Sequence, residues 1–224
     1  MTDTLAEEAQ NELVKTSWWL VRHGPVINPG NLIYGHSDRA IQTDNAALYA
    51  PLAEALPKEA VYLTSMRGRT VATLEEVAKV GGFPTPAYEQ IAHFDEQSFG
   101  AWEGQTWDAL FQSGRTHTFW LAPAAERPPG GESFEDVMAR VSLGLKEQTQ
   151  AHQGKTIVLF AHGGTIRAAL AHALGLDGET ALQFSIDNCS LTRLTHLALP
   201  DGGESWHVAH VNISPTRPTG FCPS

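Results

Sequence analysis

The sequence predicts an α/β fold: a three-layer α/β/α sandwich with a mainly parallel central sheet and an inserted cap segment. Three observations lead there. Short apolar runs, "SWWLVR" at 17–22, "AVYLTS" at 60–65 and "KTIVLFAH" at 155–162, read as buried strands. Stretches with helical spacing alternate with them, as in layered α/β domains. A long irregular middle, 83–131, carries the proline-rich "APAAERPPGG" and interrupts the alternation. The 224 residues then form one domain over 1–224, with 83–131 as cap or insertion and 212–224 as a loose C-terminal tail.

Each element has its own signal. The strand at 17–22 ends at Gly24-Pro25. "NAALYAPLAEAL" at 45–56 has helical spacing that Pro51 limits. After the strand at 60–65, "RGRTVATLEEVAKVGG" at 67–82 reads as a helix stopped by paired glycines. "SFEDVMARVSLGLKEQTQAH" at 133–152 opens with Ser133 and Asp136 spaced as a capping box. The strand at 155–162 leads into the helix "TIRAALAHALG" at 165–175, which has a glycine stop. "CSLTRLTHLAL" and "WHVAHVNI" are late strands, and there is no internal repeat.

Composition narrows the function classes. A formal net charge of −10 argues against broad nucleic-acid binding, which needs a positive surface to displace counterions. It leaves room for an anionic small substrate held by a few converging arginines. No apolar run approaches the ~20 residues of a bilayer span, so no membrane contact is expected. The acidic start "MTDTLAEEAQNELVK" lacks the order of a signal peptide, and Cys189 and Cys222 alone make no disulfide framework. A cytoplasmic protein with free thiols is expected.

The candidate chemistry gathers at strand ends. "RHG" at 22–24 and "HGG" at 162–164 each follow a buried-strand pattern directly. In open α/β sheets the crevice at the carboxyl ends of strands binds ligands. If the two strands are neighbours, His23 and His162 meet there. Gly163 and Gly164 open a helix, whose free N–H groups favour an anion. Arg67 and Arg69 fall in the first turn of the helix after "AVYLTS", where the dipole disfavours cations; solvated surface arginines are the plain alternative. Asp95, Glu96 and Glu103 in "FDEQSFGAWEG" offer an acid beside aromatic rings, and spacing alone does not choose among them.

Seven stretches in order, "RHG", "YGHSDRAI", "SMRGRTVAT", "DEQSFGAWEG", "PGGES", "AHGGTIR" and "NCSLT", resemble the histidine phosphatase superfamily, also called phosphoglycerate-mutase-like, over roughly 17–195. The resemblance implies His23 as the nucleophile that takes the phosphoryl group, with Arg22, Arg69 and His162 around the phosphate and Glu96 as proton donor and acceptor. Gly163 joins the phosphate ligands, and Asn28, which with Asn31 is nearest the family's asparagine position, is expected among them. Asp95, Glu103 and Arg67 revert to structural roles. The sequence departs from the common pattern at Pro25 and at Pro29, where family members usually have Glu or Gln and Asn respectively.

These residue types suit the chemistry. A neutral imidazole splits a very slow hydrolysis into two easier steps, and arginines stabilise charge on the phosphoryl oxygens. No metal and no cofactor are called for. The resemblance leans to the phosphatase branch, a metal-independent phosphomonoesterase acting on a small phosphorylated metabolite. A phosphoglycerate-type mutase and a non-catalytic phospholigand-binding module are the alternatives. "RHGPV" is similar to alpha-ribazole phosphatase-like members, and a sugar phosphate is equally compatible. "GKT" at 154–156 lacks a P-loop's first glycine, and no G-x-S-x-G accompanies "HGG".

Overall fold

The structure, a computed structural model, describes residues 13–112 and 122–213. Six strands form one mixed sheet: β1 (Val14–Arg22), β2 (Val61–Thr64), β3 (Tyr88–Gln90), β4 (Thr156–Ala161), β5 (Leu191–Ala198) and β6 (Glu204–Ile213), in the order β3-β2-β4-β1-β5-β6. The pairs β3–β2, β2–β4 and β4–β1 are parallel; β5 runs antiparallel to β1 and to β6. Helices flank the sheet: α1 (Ala50–Ala55), α2 (Gly68–Gly81), α3 (Trp107–Gln112), α4 (Phe134–Ala151), α5 (Gly163–Leu174) and the single turn α6 (Gly178–Ala181).

Strand periodicity produces the three layers. Successive side chains of a strand face opposite ways. Trp18 and Leu20 of β1, with Ile157, Leu159 and Ala161 of β4, join a core containing Phe134, Val137 and Val141 of α4 and Ile166 and Leu170 of α5. Their neighbours Val21, Val158 and Phe160 join the opposite core, with Leu52 of α1 and Leu74 and Val77 of α2. Central strands buried on both faces are apolar throughout, which is why 17–22 and 155–162 are so plain in the sequence.

Helix boundaries follow local chemistry. Ser133 accepts from the Asp136 N–H while the Asp136 carboxylate accepts from Ser133, so the expected capping box forms with Asp in place of Glu. Gly82 and Gly175 end α2 and α5 in the left-handed conformation. Pro51 sits in the first turn of α1, where its missing N–H costs nothing; the predicted helix over 45–56 is a 3₁₀ turn at Ala46–Leu48 followed by a shorter α1.

The segment 83–131 is more regular than predicted. Tyr88–Gln90 extends the sheet at its edge, and Phe94 is fully buried in the α4 and α5 core. These residues belong to the main body. Ile33, Phe99, Trp102, Leu110 and Ala122 form a small separate core with Trp107 against it. At the other end β6 runs through Asn212 to Ile213, the first two residues of the predicted tail, and the rest of it, 214–224, lies outside the described residues. Trp120 and Cys222 also lie outside them.

Candidate active site

β1 and β4 are parallel neighbours with Arg22 opposite Ala161, so the next residue of each chain segment is a histidine at the same sheet edge. The rings of His23 and His162 lie 5.3 Å apart. His23 is 1% exposed, and its Nδ1 lies 2.8 Å from its neighbour Gly24's carbonyl oxygen. A carbonyl only accepts, so Nδ1 carries the proton and Nε2 keeps its lone pair. The turn is pinned twice more: the Gly24 N–H donates to Thr73 of α2 at 2.8 Å, and the Asn188 amide donates to the His23 carbonyl at 2.9 Å. Burial, then the charges of Arg22 and Arg69, hold the His23 pKa well below the ordinary imidazole value, against the Gly24 hydrogen bond.

His162 precedes α5 as its N-cap residue. Its Nδ1 accepts from Arg69 Nε at 3.2 Å, which leaves the proton on Nε2, 2.7 Å from Ser65 Oγ. Burial and then Arg69 press its pKa well down too. Arg69 thereby fixes the tautomer, and Ser65, the last residue of "AVYLTS", accepts from the ring of a histidine that follows another strand.

Arg69 is 1% exposed in the first turn of α2, a position the helix dipole disfavours. Asp38 resolves the conflict. Its carboxylate accepts from the Gly68 and Arg69 N–H groups and stands 3.5 Å from the Arg69 guanidinium. The guanidinium donates to the Gly35 carbonyl at 2.7 Å and lies 5.3 Å from the centre of the Tyr34 ring. Gly35 is required there: a Cβ would collide with the Gln97 carbonyl and lie 2.8 Å from Glu103 and Phe99. Burial lowers the Arg69 pKa, opposed by Glu96 and Asp38.

Arg22 donates to the Ile186 carbonyl, and its buried Nε has no hydrogen-bond partner among the described residues. A third arginine, Arg167 of α5, stands beside it with its Nε on the Phe184 carbonyl at 2.7 Å. Burial and then Arg22 bring the Arg167 pKa down to about 10. Gly163 keeps the space between them, since a Cβ there would sit 3.2 Å from Arg167 and 3.6 Å from Arg22 Nε. The half-buried Arg22 charge and the buried Arg167 charge repel one another, and an anion between them relieves that repulsion.

The three candidate carboxylates separate cleanly. Glu96 is 7% exposed, accepts from its neighbour's Gln97 N–H at 3.0 Å and lies 3.5 Å from the Gly164 N–H at the start of α5. Asp95 instead pairs with Arg67 at 2.8 Å and accepts from the Met66 N–H at 2.8 Å. Glu103 accepts from the N–H groups of His36, Ser37 and Phe99 and from the Ser37 hydroxyl, fastening the 35–37 loop to the cap. Burial would raise the Glu103 pKa, but these hydrogen bonds bring it below the usual value. Arg67, Asp95 and Glu103 are thus engaged in structural contacts.

Asn28 does not join the cluster. Its amide donates to the Leu32 carbonyl at 2.8 Å and accepts from the Leu32 N–H at 3.3 Å, closing its own loop. Asn28 is not among the residues lining the cavity over His23. Arg167, Tyr34 and Ser65 were missed as members of the site. Arg167 did leave a signal, as a lone charge inside the apolar helix "TIRAALAHALG".

A cavity of about 80 Å³ opens over His23, lined by Arg22, His23, Leu32, Ile33, Tyr34, Glu96, Phe99 and Trp107. A larger recess of about 320 Å³, lined by Lys146, His196, Glu204 and Trp206 among others, lies at the opposite end of the sheet, where His196 pairs with Thr16. The convergent chemistry is in the smaller one. Among the described residues, no group of three or more His, Cys, Asp or Glu side chains is placed to hold a metal ion, and no helix is long and apolar enough to cross a membrane.

The chain matches the histidine phosphatase superfamily (branch 1) over residues 18–213. It is 26% identical over 198 residues to a probable phosphoglycerate mutase of Photorhabdus laumondii, covering 85% of this chain and 89% of the relative. It is 35% identical over 98 residues to a bifunctional protein of Mycobacterium tuberculosis, a match covering 43% of this chain but only 27% of that relative's length. Among solved structures, YhfR of Bacillus stearothermophilus superposes with a TM-score of 0.75 at 25% identity, over 90% of this chain and 100% of that one. A mycobacterial glucosyl-3-phosphoglycerate phosphatase has the same fold, with a TM-score of 0.70 at 22% identity, over 91% and 100%. The family match over residues 18–213 makes this chain a member of the histidine phosphatase superfamily.

Proposed function

We propose that the chain is a phosphatase: a metal-independent phosphomonoesterase that hydrolyses a small phosphorylated metabolite through a phosphohistidine on His23. The carrying observation is the orientation of His23, whose Nδ1 is committed to the Gly24 carbonyl while Nε2 keeps its lone pair in the field of Arg22 and Arg69. In the first step Nε2 attacks phosphorus and the bond to the leaving oxygen breaks. The Glu96 carboxyl, on the wall of the same cavity, is assigned to give a proton to that oxygen, so an alcohol departs. In the second step water attacks phosphorus, the P–N bond breaks, and Glu96 takes the water's proton. Phosphate leaves and both residues return to their starting forms. Arg22, Arg69, His162 and the Gly163 N–H are assigned to the phosphoryl oxygens.

A mutase is the second reading, favoured by the probable phosphoglycerate mutase among the relatives. It must hold a second anionic group while a phosphoryl group moves. Among the described residues the wall above His23 is, apart from Glu96, apolar and aromatic, built from Leu32, Ile33, Tyr34, Phe99 and Trp107, and this supports a phosphatase acting on an ester with an uncharged alcohol portion. A cytoplasmic setting belongs to the same proposal, with Cys189 as a buried free thiol whose pKa burial raises to about 12.

Assaying p-nitrophenyl phosphate and 3-phosphoglycerate, each with and without a chelator, tests the proposal. Free phosphate should accumulate from the first in both conditions. Fast conversion of 3-phosphoglycerate to 2-phosphoglycerate with little free phosphate would establish the mutase reading instead. Activity abolished by the chelator and restored by a divalent cation would remove the metal-independent mechanism.

A further inference from the structure

Glu96 has no regular element under it. It follows the 3₁₀ turn Ala92–Phe94 in an open stretch of backbone, yet the proposed chemistry needs its carboxyl within hydrogen-bonding reach of the leaving oxygen. One side chain from a distant helix organises that backbone. Arg140, in the second turn of α4, donates from Nη1 to the carbonyls of His93 at 2.9 Å and Asp95 at 2.8 Å, and from Nη2 to the carbonyl of Glu96 itself at 3.0 Å.

Arg140 is held from its other edge. Its Nε donates to Glu132 Oε1 at 2.8 Å and its Nη2 to Oε2 at 3.1 Å, a two-pronged pair. Glu132 is bound to the far side of the same loop. It accepts from the Ser98 N–H at 3.0 Å, its own N–H donates to the Ser98 carbonyl at 2.8 Å, and its carbonyl accepts from Gln97 Nε2 at 2.7 Å. Thr165 of α5 completes the set on the Asp95 carbonyl at 2.9 Å. Arg140 stands behind the loop and works through backbone carbonyls; the cavity lining ahead of it is Glu96 and its neighbours.

We propose that Arg140, clamped by Glu132, is a positioning residue that sets where the Glu96 carboxyl stands over the leaving group. The inference rests on Glu96 acting as the proton donor. A guanidinium is planar with donors at fixed angles, so three carbonyls bound to it cannot shift independently. Lysine restores the charge and loses that fork. Displacing a catalytic group by about 1 Å can cost about 10²-fold in rate.

Leaving-group dependence separates positioning from general structural damage. p-Nitrophenol departs as an anion without help, whereas ethanol needs a proton. The experiment measures kcat/KM for p-nitrophenyl phosphate and ethyl phosphate in wild type, Arg140→Lys, Glu132→Gln, Glu96→Gln and the Arg140→Lys/Glu96→Gln double variant. Melting curves identify the folded variants, and Glu132→Gln, which keeps Arg140, serves if Arg140→Lys does not fold. Arg140→Lys should lose at least about ten-fold more on ethyl phosphate than on p-nitrophenyl phosphate, in the same direction as Glu96→Gln. Glu132→Gln should show the same selectivity, smaller. In the Glu96→Gln background Arg140→Lys should add almost no selectivity, because the two act through one group. Equal losses on both substrates in Arg140→Lys and Glu132→Gln, with Glu96→Gln selective, would overturn the positioning role alone. A Glu96→Gln variant without selectivity would overturn the proton-donor assignment and this inference with it.

Discussion

At the floor of the cavity, His23 and His162 stand one residue beyond two paired strands, while on its wall Glu96 stands in a loop with no regular structure of its own. The two histidines are placed by register. Once Arg22 of β1 faces Ala161 of β4, the rings must meet, and sheet hydrogen bonds hold them. The carboxyl is placed by contacts from α4 and α5, more than forty residues away in the chain. A floor built on regular elements resists local change; a wall held by side chains from other elements, Arg140 with three carbonyls foremost, depends on those side chains.

The largest break of that contrast is at the floor. Arg69→Lys keeps the charge but cannot reproduce donation to His162 from Nε and to the Gly35 and Ser37 carbonyls from the Nη groups. It should lower kcat by about 10²–10³ on p-nitrophenyl phosphate, whose leaving group needs no acid. A loss seen only on alkyl esters would move Arg69 from the phosphate to the wall.

The next test concerns the buried imidazoles. Both histidines have pKa values well below the ordinary one, chiefly through burial, so the folded chain stays unprotonated there while the unfolded chain takes up protons below about pH 6.5. The unfolded state then binds more protons, and stability must fall as pH falls. The contribution is up to about 1.4 kcal/mol per pH unit for each histidine, above the range where the Glu103 and Glu132 carboxylates protonate. In a phosphate-free buffer Tm should drop between about pH 7 and 5.5. His162→Gln should flatten the drop. A Tm independent of pH over that window would show that the folded imidazoles accept protons after all.

The smallest effect is expected at Asn28. Asn28→Ala removes its two hydrogen bonds to Leu32 and should cost about 1 kcal/mol of stability with kcat changed by less than about two-fold. A loss of about ten-fold in kcat at unchanged Tm would return Asn28 to the phosphate site.

The same division governs what the sequence disclosed. Buried parallel strands are written as apolar runs, so β1, β4 and the His-Gly pairs that end them were visible, and with them the floor. The capping box and glycine stops were local and equally visible. β3 was not: its three residues, Tyr88, Glu89 and Gln90, are exposed and carry no alternation. The Asp38 cap on α2 joins residues thirty positions apart, so the dipole conflict at Arg69 was legible while its solution was not. Choosing Glu96 over Asp95 and Glu103 needed the family pattern, because local sequence does not record that Arg67 and Ser37 already engage the other two. The proline at position 29 broke the family pattern, and Asn28 was a substitute chosen by proximity alone.

The central claim is a phosphoryl group carried on His23. The direct measurement mixes Glu96→Gln, in which breakdown of the intermediate is slowed, with p-nitrophenyl phosphate, quenches in alkali and maps peptides by mass spectrometry. The account predicts a phosphoryl group on His23 in the peptide containing "LVRHGPV", absent from His23→Ala treated the same way. A phosphoryl group on His162, or turnover of His23→Ala at the wild-type rate, would contradict it.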